Sequence, residues 1–157
     1  MLFKKELTKK YINLLLSYCK PNLKCLFVLH PVTETFLKSQ DLLEQIENNP
    51  NIITIPKIPY AAFMKILLKC EFIATDGGGN QQEAYYLGKP CILLRKYTEQ
   101  IEGLHSNAVL AKDDPKIVKD FLENYKSKAS KRIILETPPS KIIVDTILAT
   151  LNEKKYQ

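Results

Sequence analysis

Apolar residues fall along this chain in two alternating rhythms: short unbroken runs, and longer stretches where they recur every three or four positions. The unbroken runs are Cys25-Leu26-Phe27-Val28-Leu29, Ile52-Ile53-Thr54-Ile55, Phe72-Ile73-Ala74-Thr75, Cys91-Ile92-Leu93-Leu94 and Asn107-Ala108-Val109-Leu110. A strand covered on both faces has no polar alternation, so these runs predict buried β-strands. Between them lie helical periods. Glu6 to Tyr18 sets Tyr11, Leu14, Leu15 and Tyr18 on one face, and Thr35 to Glu47 predicts one helix with Leu42, Leu43 and Ile46 inward. Pro59 opens a helix to Cys70 that carries Phe63, Ile66 and Leu67. Gly79 to Leu87 is closed by Gly88 and Pro90, Asp113-Asp114-Pro115 starts a helix to Tyr125, and Ser140 starts a last one to Asn152. Strands alternating with helices predict an α/β fold, a Rossmann-like parallel sheet flanked by helices. Its ligands would sit beyond the carboxyl ends of the strands, where His30, Pro56, Asp76-Gly77 and Arg95 fall.

At 157 residues the chain is expected to form a single domain, residues 1–157. No apolar run approaches the roughly 20 residues that cross a bilayer, and Met1-Leu2-Phe3-Lys4-Lys5 has no secretory signal pattern. A cytoplasmic protein with no membrane partner is the expectation. The net charge of +6 is unevenly spread: residues 1–25 hold six lysines against Glu6, whereas 26–111 hold seven basic and nine acidic groups. The surplus thus sits on terminal helices, away from the rim residues, and no aromatic-basic interleaving is present, which argues against nucleic acid. Cys19, Cys25, Cys70 and Cys91 lack metal-ligand spacing and read as reduced thiols, so no metal is expected.

The chemistry concentrates in Asp76-Gly77-Gly78-Gly79-Asn80-Gln81-Gln82-Glu83, between a strand and a helix. Without Cβ atoms, Gly77, Gly78 and Gly79 let backbone amides approach a ligand closely. The helix that follows aims its unpaired N–H groups at the same place, an arrangement suited to phosphate or diphosphate. Glu83 lies one turn further and can accept hydrogen bonds from hydroxyls such as those of ribose. The dinucleotide fingerprint fails because Gln82 stands where its last glycine belongs, and no Gly-Lys-Ser/Thr ending makes a Walker loop. A tight strand-to-helix connection with no ligand is the structural alternative.

Thr75-Asp76-Gly77-Gly78-Gly79-Asn80-Gln81-Gln82-Glu83-Ala84, then Leu87-Gly88-Lys89-Pro90, Leu94-Arg95, Thr98-Glu99 and Glu102-Gly103, resemble the C-terminal domain of the non-hydrolysing UDP-N-acetylglucosamine 2-epimerases. That family carries the order T-D-S-G-G-x-Q-E-E-A, L-G-K-P, R-x-x-T-E-R-P-E, and His30-Pro31 resembles its earlier histidine motif. Gly77 departs from it at a serine, Gln82 at a glutamate, Gln100 at an arginine and Ile101 at a proline. The resemblance runs from about Cys25 to Asn152.

It implies one half of a GT-B fold that grips UDP, with no cofactor. The glycine backbone would hold the diphosphate and Glu83 the ribose. His30 would face the phosphates or the reacting sugar as the catalytic candidate, and Arg95 would add a charged contact. Phe63 would stack on uracil, although its spacing with Ile66 and Leu67 equally fits core packing. Glu99 and Glu102 either line the loop near the sugar or are solvated. The implied activity is interconversion of UDP-GlcNAc and UDP-ManNAc for surface-polysaccharide synthesis, with the principal carboxylates on an N-terminal domain absent from this sequence. The chain is then a C-terminal part, inactive alone, whose partners are UDP or a UDP-sugar and either that missing domain or a second copy. An opening strand is also missing, which would leave a sheet edge exposed. The alternatives are a GT-B glycosyltransferase, disfavoured because Cys91 rather than glutamate lies eight positions after Glu83, and a non-catalytic nucleotide-binding module.

Overall fold

The computed structural model describes residues 5–154. Along the chain run α1 (Lys5–Ser17), β1 (Cys25–Leu29), α2 (Pro31–Ser39), α3 (Leu43–Glu47), β2 (Ile52–Pro56) and α4 (Tyr60–Lys69). Then come β3 (Ile73–Thr75), α5 (Gly78–Leu87), β4 (Cys91–Leu93), β5 (Ala108–Leu110), α6 (Pro115–Asn124), a 3₁₀ turn (Tyr125–Lys128) and α7 (Pro139–Lys154). The expected alternation of strands and helices is present, with every strand pair parallel.

One expectation needs correction. The single helix read over Thr35 to Glu47 is two helices, and the first begins earlier, at Pro31, with His30 as its N-cap. Proline presets the helical φ and lacks the N–H that the first turn cannot use. The break follows from Asp41, which takes a left-handed φ of 53°. The Asp41 amide then donates to the Lys38 carbonyl at 3.3 Å and the Leu42 amide to the Leu37 carbonyl at 3.0 Å. These two bonds close the helix in a Schellman motif, with aspartate in the place usually held by glycine. Leu37 and Leu42 both enter the core across this turn.

The α/β architecture of parallel strands flanked by helices is as expected, with the strands divided between two sheets. The strands form two parallel sheets: β1 with β2, Cys25 opposite Ile52, and β3-β4-β5 with β4 in the middle, Ile73 opposite Cys91 and Cys91 opposite Ala108. Apolar runs report burial and not which run lies alongside.

The core explains why these pieces hold together. On β4, Ile92 points into a cluster with Tyr11, Val118 and Phe121 beneath α1 and α6, while Cys91 and Leu93 point to the opposite face, with Leu67, Ile73 and Ala84 beneath α4 and α5. That is the period-2 alternation of a strand. Helix α1 puts Tyr11 into the first cluster and its neighbour Ile12 into a third, with Phe36, Leu37, Leu42 and Ile46 under β1 and β2. One helix thus ties both sheets, and each fully buried aliphatic side chain contributes roughly 1.5–3 kcal/mol. The four cysteines are free thiols, and burial pushes the Cys91 thiol up to about 12.

After the 3₁₀ turn the chain straps along α5: the Ser130 amide donates to the Gly88 carbonyl at 3.0 Å and the Ile133 amide to the Tyr86 carbonyl at 2.9 Å. Helix α7 follows, with Ile143, Val144, Ile147, Leu148 and Leu151 all more than half exposed. Among the described residues no helix is long and apolar enough to cross a membrane.

Candidate functional site

The carboxyl end of β3 is locked before it meets the glycines. Thr75 Oγ1 accepts from the Gly77 amide at 3.0 Å and from Asn80 Nδ2 at 3.0 Å. Gly77 then caps α5 without any side-chain hydrogen bond, so the leading amides of the helix meet no side-chain cap. The next two glycines differ in what they face. A Cβ on Gly78 would stand 2.9 Å from Glu99 Oε1 and 3.1 Å from Gln100 Cγ, so a loop rests on it. A Cβ on Gly79 would meet nothing within 4 Å. The ground before the helix is open there, at its positive end, where an anion is favoured.

Glu83 sits one turn on, half-buried, and its Oε2 is buried without a partner. Burial raises its carboxyl above the usual range, and a hydrogen bond from Tyr60 acts the other way. A buried acceptor with a vacant lone pair suits an incoming hydroxyl. Tyr60, at the first turn of α4, is 65% exposed and was not singled out by the sequence pattern. Phe63, three residues later, is half-buried against the cluster of Leu67, Ile73 and Ala84, which is the core packing that its spacing allows.

The loop after β4 is stitched to α5 by glutamines. Gln81 is fully buried. Its Nε2 donates to the carbonyls of Gln100 at 3.1 Å and Glu102 at 2.8 Å, and its Oε1 accepts from the Thr98 hydroxyl at 2.7 Å. Gln82 Nε2 donates to Gln100 Oε1 at 2.7 Å. At the loop's start Arg95 pairs with Glu99 at 3.3 Å, with the glutamate largely exposed. Further back, Asn107 Nδ2 donates to the carbonyls of Ala84 and Lys89 at 2.8 and 2.6 Å. Polar residues in a helix read as surface, so the buried role of Gln81 was not assigned from the sequence, although it matches the glutamine of the family pattern.

His30 caps α2 at the end of β1, in the other sheet from the glycines. Its Nδ1 accepts from the Val32 amide at 3.4 Å, which leaves Nε2 to carry the proton and to donate. A cavity of about 410 Å³ opens beside it, between Leu29, Pro31, Glu34, Thr54, Pro56 and Lys57. Another, of about 630 Å³, lies at the opposite ends of the strands near Tyr18, Lys20, Glu71 and Tyr125 and takes no part in this rim.

Residues 3–139 match the family model described as UDP-N-acetylglucosamine 2-epimerase. A UDP-N-acetylglucosamine 2-epimerase of Neisseria meningitidis serogroup A is 31% identical over 91% of this chain and 38% of its own length. One from Methanococcus maripaludis is 37% identical over 62% of this chain and 27% of its own. Among solved structures, the Methanocaldococcus jannaschii UDP-GlcNAc 2-epimerase in complex with UDP-GlcNAc and UDP superposes with a TM-score of 0.80 at 26% identity, over 92% of this chain and 41% of that one. The N. meningitidis enzyme bound to UDP-GlcNAc gives 0.66 at 28% identity, over 90% and 41%. The chain therefore spans less than half the length of these relatives, and it belongs to the UDP-N-acetylglucosamine 2-epimerase family.

Proposed function

We propose that this chain is the UDP-sugar-gripping part of a 2-epimerase-like enzyme, which interconverts UDP-N-acetylglucosamine and its C2 epimer in the cytoplasm for surface-polysaccharide precursors. The observation that carries the reading is the pairing of an uncapped glycine mouth with the orphaned, buried Glu83 oxygen one helical turn away. The glycine amides take the diphosphate, and Glu83 takes the ribose hydroxyls. Arg95, released from Glu99, adds a charged contact, and His30, at the carboxyl end of β1, offers its Nε2 as a donor. The UDP-GlcNAc and UDP held by the M. jannaschii relative, and the UDP-GlcNAc held by the N. meningitidis one, support UDP as the nucleotide.

Calorimetry with UDP tests this. The chain should bind UDP, and Glu83→Ala should weaken it about tenfold to a hundredfold, the loss of a hydrogen bond to a charged acceptor. Gly79→Val should abolish binding while leaving the melting temperature nearly unchanged, because a Cβ there meets nothing within 4 Å. Binding should also strengthen as pH rises through the titration of Glu83, since burial favours the protonated acid in the free protein and hydroxyl donors favour the carboxylate. No binding by the folded chain, or equal affinity in Glu83→Ala, sinks the site.

Inversion at C2 needs an acid and a base on suitable faces of the sugar, and a closed cleft that excludes water. The rim supplies His30, with Glu99 and Glu102 on the loop, and one domain cannot close upon itself. The chain alone should therefore bind without turning over. Mass spectrometry should find no solvent deuterium at C2 of UDP-N-acetylglucosamine incubated with it; uptake that vanishes in His30→Ala would mean that this single domain carries the chemistry.

A further inference from the structure

We infer that Gln82 and Gln100 act as one unit, an uncharged clasp that positions the loop after β4 over the glycine mouth. This rests on the reading of that mouth as a diphosphate site. The two side-chain amides meet at 2.7 Å, with Gln82 Nε2 donating to Gln100 Oε1 and lying 3.4 Å from Glu102 Oε1. Gln100 is thus held between two supports. Its Cγ lies 3.1 Å from where Gly78 would carry a Cβ, so the loop rests on bare backbone there, and its amide is gripped by Gln82 from the helix.

Consecutive residues of α5 divide the work. Gln81, buried, takes the backbone carbonyls of Gln100 and Glu102 and fixes the path of the loop. Gln82, half-buried, takes only side chains and so sets how close Gln100 and its neighbour Glu99 come to Gly78. The Glu99 carboxylate lies 2.9 Å from that same Cβ position, beside the amides that an anion would use. A change of loop height therefore changes the negative charge at the mouth directly. Gln82 and Gln100 are positioning residues, acting through Glu99 and the loop.

Charge sets how substitutions at the two positions couple. Both are neutral, and they are surrounded by carboxylates: Glu102 against Gln82, Glu83 next along the helix, and Glu99 next to Gln100. A carboxylate at position 82 alone would face Glu102 with no cation between them and would repel a diphosphate. A guanidinium at position 100 can neutralise it.

Four versions of the full chain test it: native, Gln82→Glu, Gln100→Arg, and both together. UDP affinity is measured by calorimetry, and hydrogen exchange of residues 96–103 is followed without ligand. Gln82→Glu should weaken UDP about tenfold and speed exchange in the loop, and the double variant should return both to near native, a coupling typical of residues in contact. Thermal melting, which a merely structural role would shift, should stay level across the set. Additive effects in the double variant, or a Gln82→Glu chain that binds UDP as native, overturn the clasp. If the native chain binds no UDP, the reading of the mouth fails, while loop exchange still decides the clasp by its own rescue or lack of it.

Discussion

Replacing Gln81 by leucine should lower the stability of the fold by about 3 kcal/mol, the cost of leaving two or three polar groups without partners in a buried site. The volume is nearly conserved, so packing is not the cause. What disappears is the donor to the carbonyls of Gln100 and Glu102 and the acceptor for the Thr98 hydroxyl. Gln81→Glu separates these roles: its carboxylate can still accept from Thr98 but meets two carbonyl oxygens. It should therefore be about as damaging as leucine at neutral pH and recover partly when acid protonates it. Urea unfolding curves measure both. A leucine variant within about 0.5 kcal/mol of native, the usual effect of a surface substitution, would show that the loop gains nothing from Gln81.

The other large effect lies at the far end of the same helix. Gly88 has a φ of +67°, and its carbonyl and the nearby Tyr86 carbonyl receive the strap at residues 130–133. A Cβ there would lie 2.2 Å from the Ser130 carbonyl oxygen and 2.9 Å from Lys131 C. Two penalties add in Gly88→Ala: roughly 1–2 kcal/mol for a left-handed L-residue, and the displacement of backbone that has no side-chain freedom to yield. Losing the two strap hydrogen bonds at about 1 kcal/mol each brings the expected total to about 3–4 kcal/mol, a fall of roughly 10 °C in melting temperature. The same substitution in a chain ended at Ala129 should cost only the left-handed part. Equal losses in the two lengths would remove the strap from the explanation.

These residues also show what was legible beforehand. The strand at Ile73–Thr75, the glycine turn and helix α5 were readable because their signals are local: an apolar run, absent Cβ atoms, and Gly88 with Pro90 as a stop. The placement of His30 and Arg95 at strand ends followed from the same rhythm. The break at Asp41 was not readable, since Phe36, Leu43 and Ile46 keep helical spacing across it and only the sign of one φ angle ends α2. Nor was the division into two sheets, which depends on which edges find each other. Gln81 was hidden for a third reason. Its burial is decided by a loop about twenty positions further on, and no window around residue 81 contains that loop.

Helix α7 has a consequence for how the molecule unfolds. All its residues from 139 to 151 are exposed, including the apolar row of Ile143, Ile147 and Leu151. At 16 residues it is close to the length at which a helix in water is marginal by itself. Its order is therefore governed by its own propensities, temperature and solvent, and not by the cooperative core built around Tyr11, Leu93 and Phe121. The chain should therefore show two thermal processes in one polypeptide, a core that melts as a unit and a helix that loosens gradually beneath that transition. Ellipticity at 222 nm records both, whereas near-ultraviolet signals from the buried Tyr11 and Phe121 record only the first, and a single van't Hoff enthalpy drawn from the former would be too small.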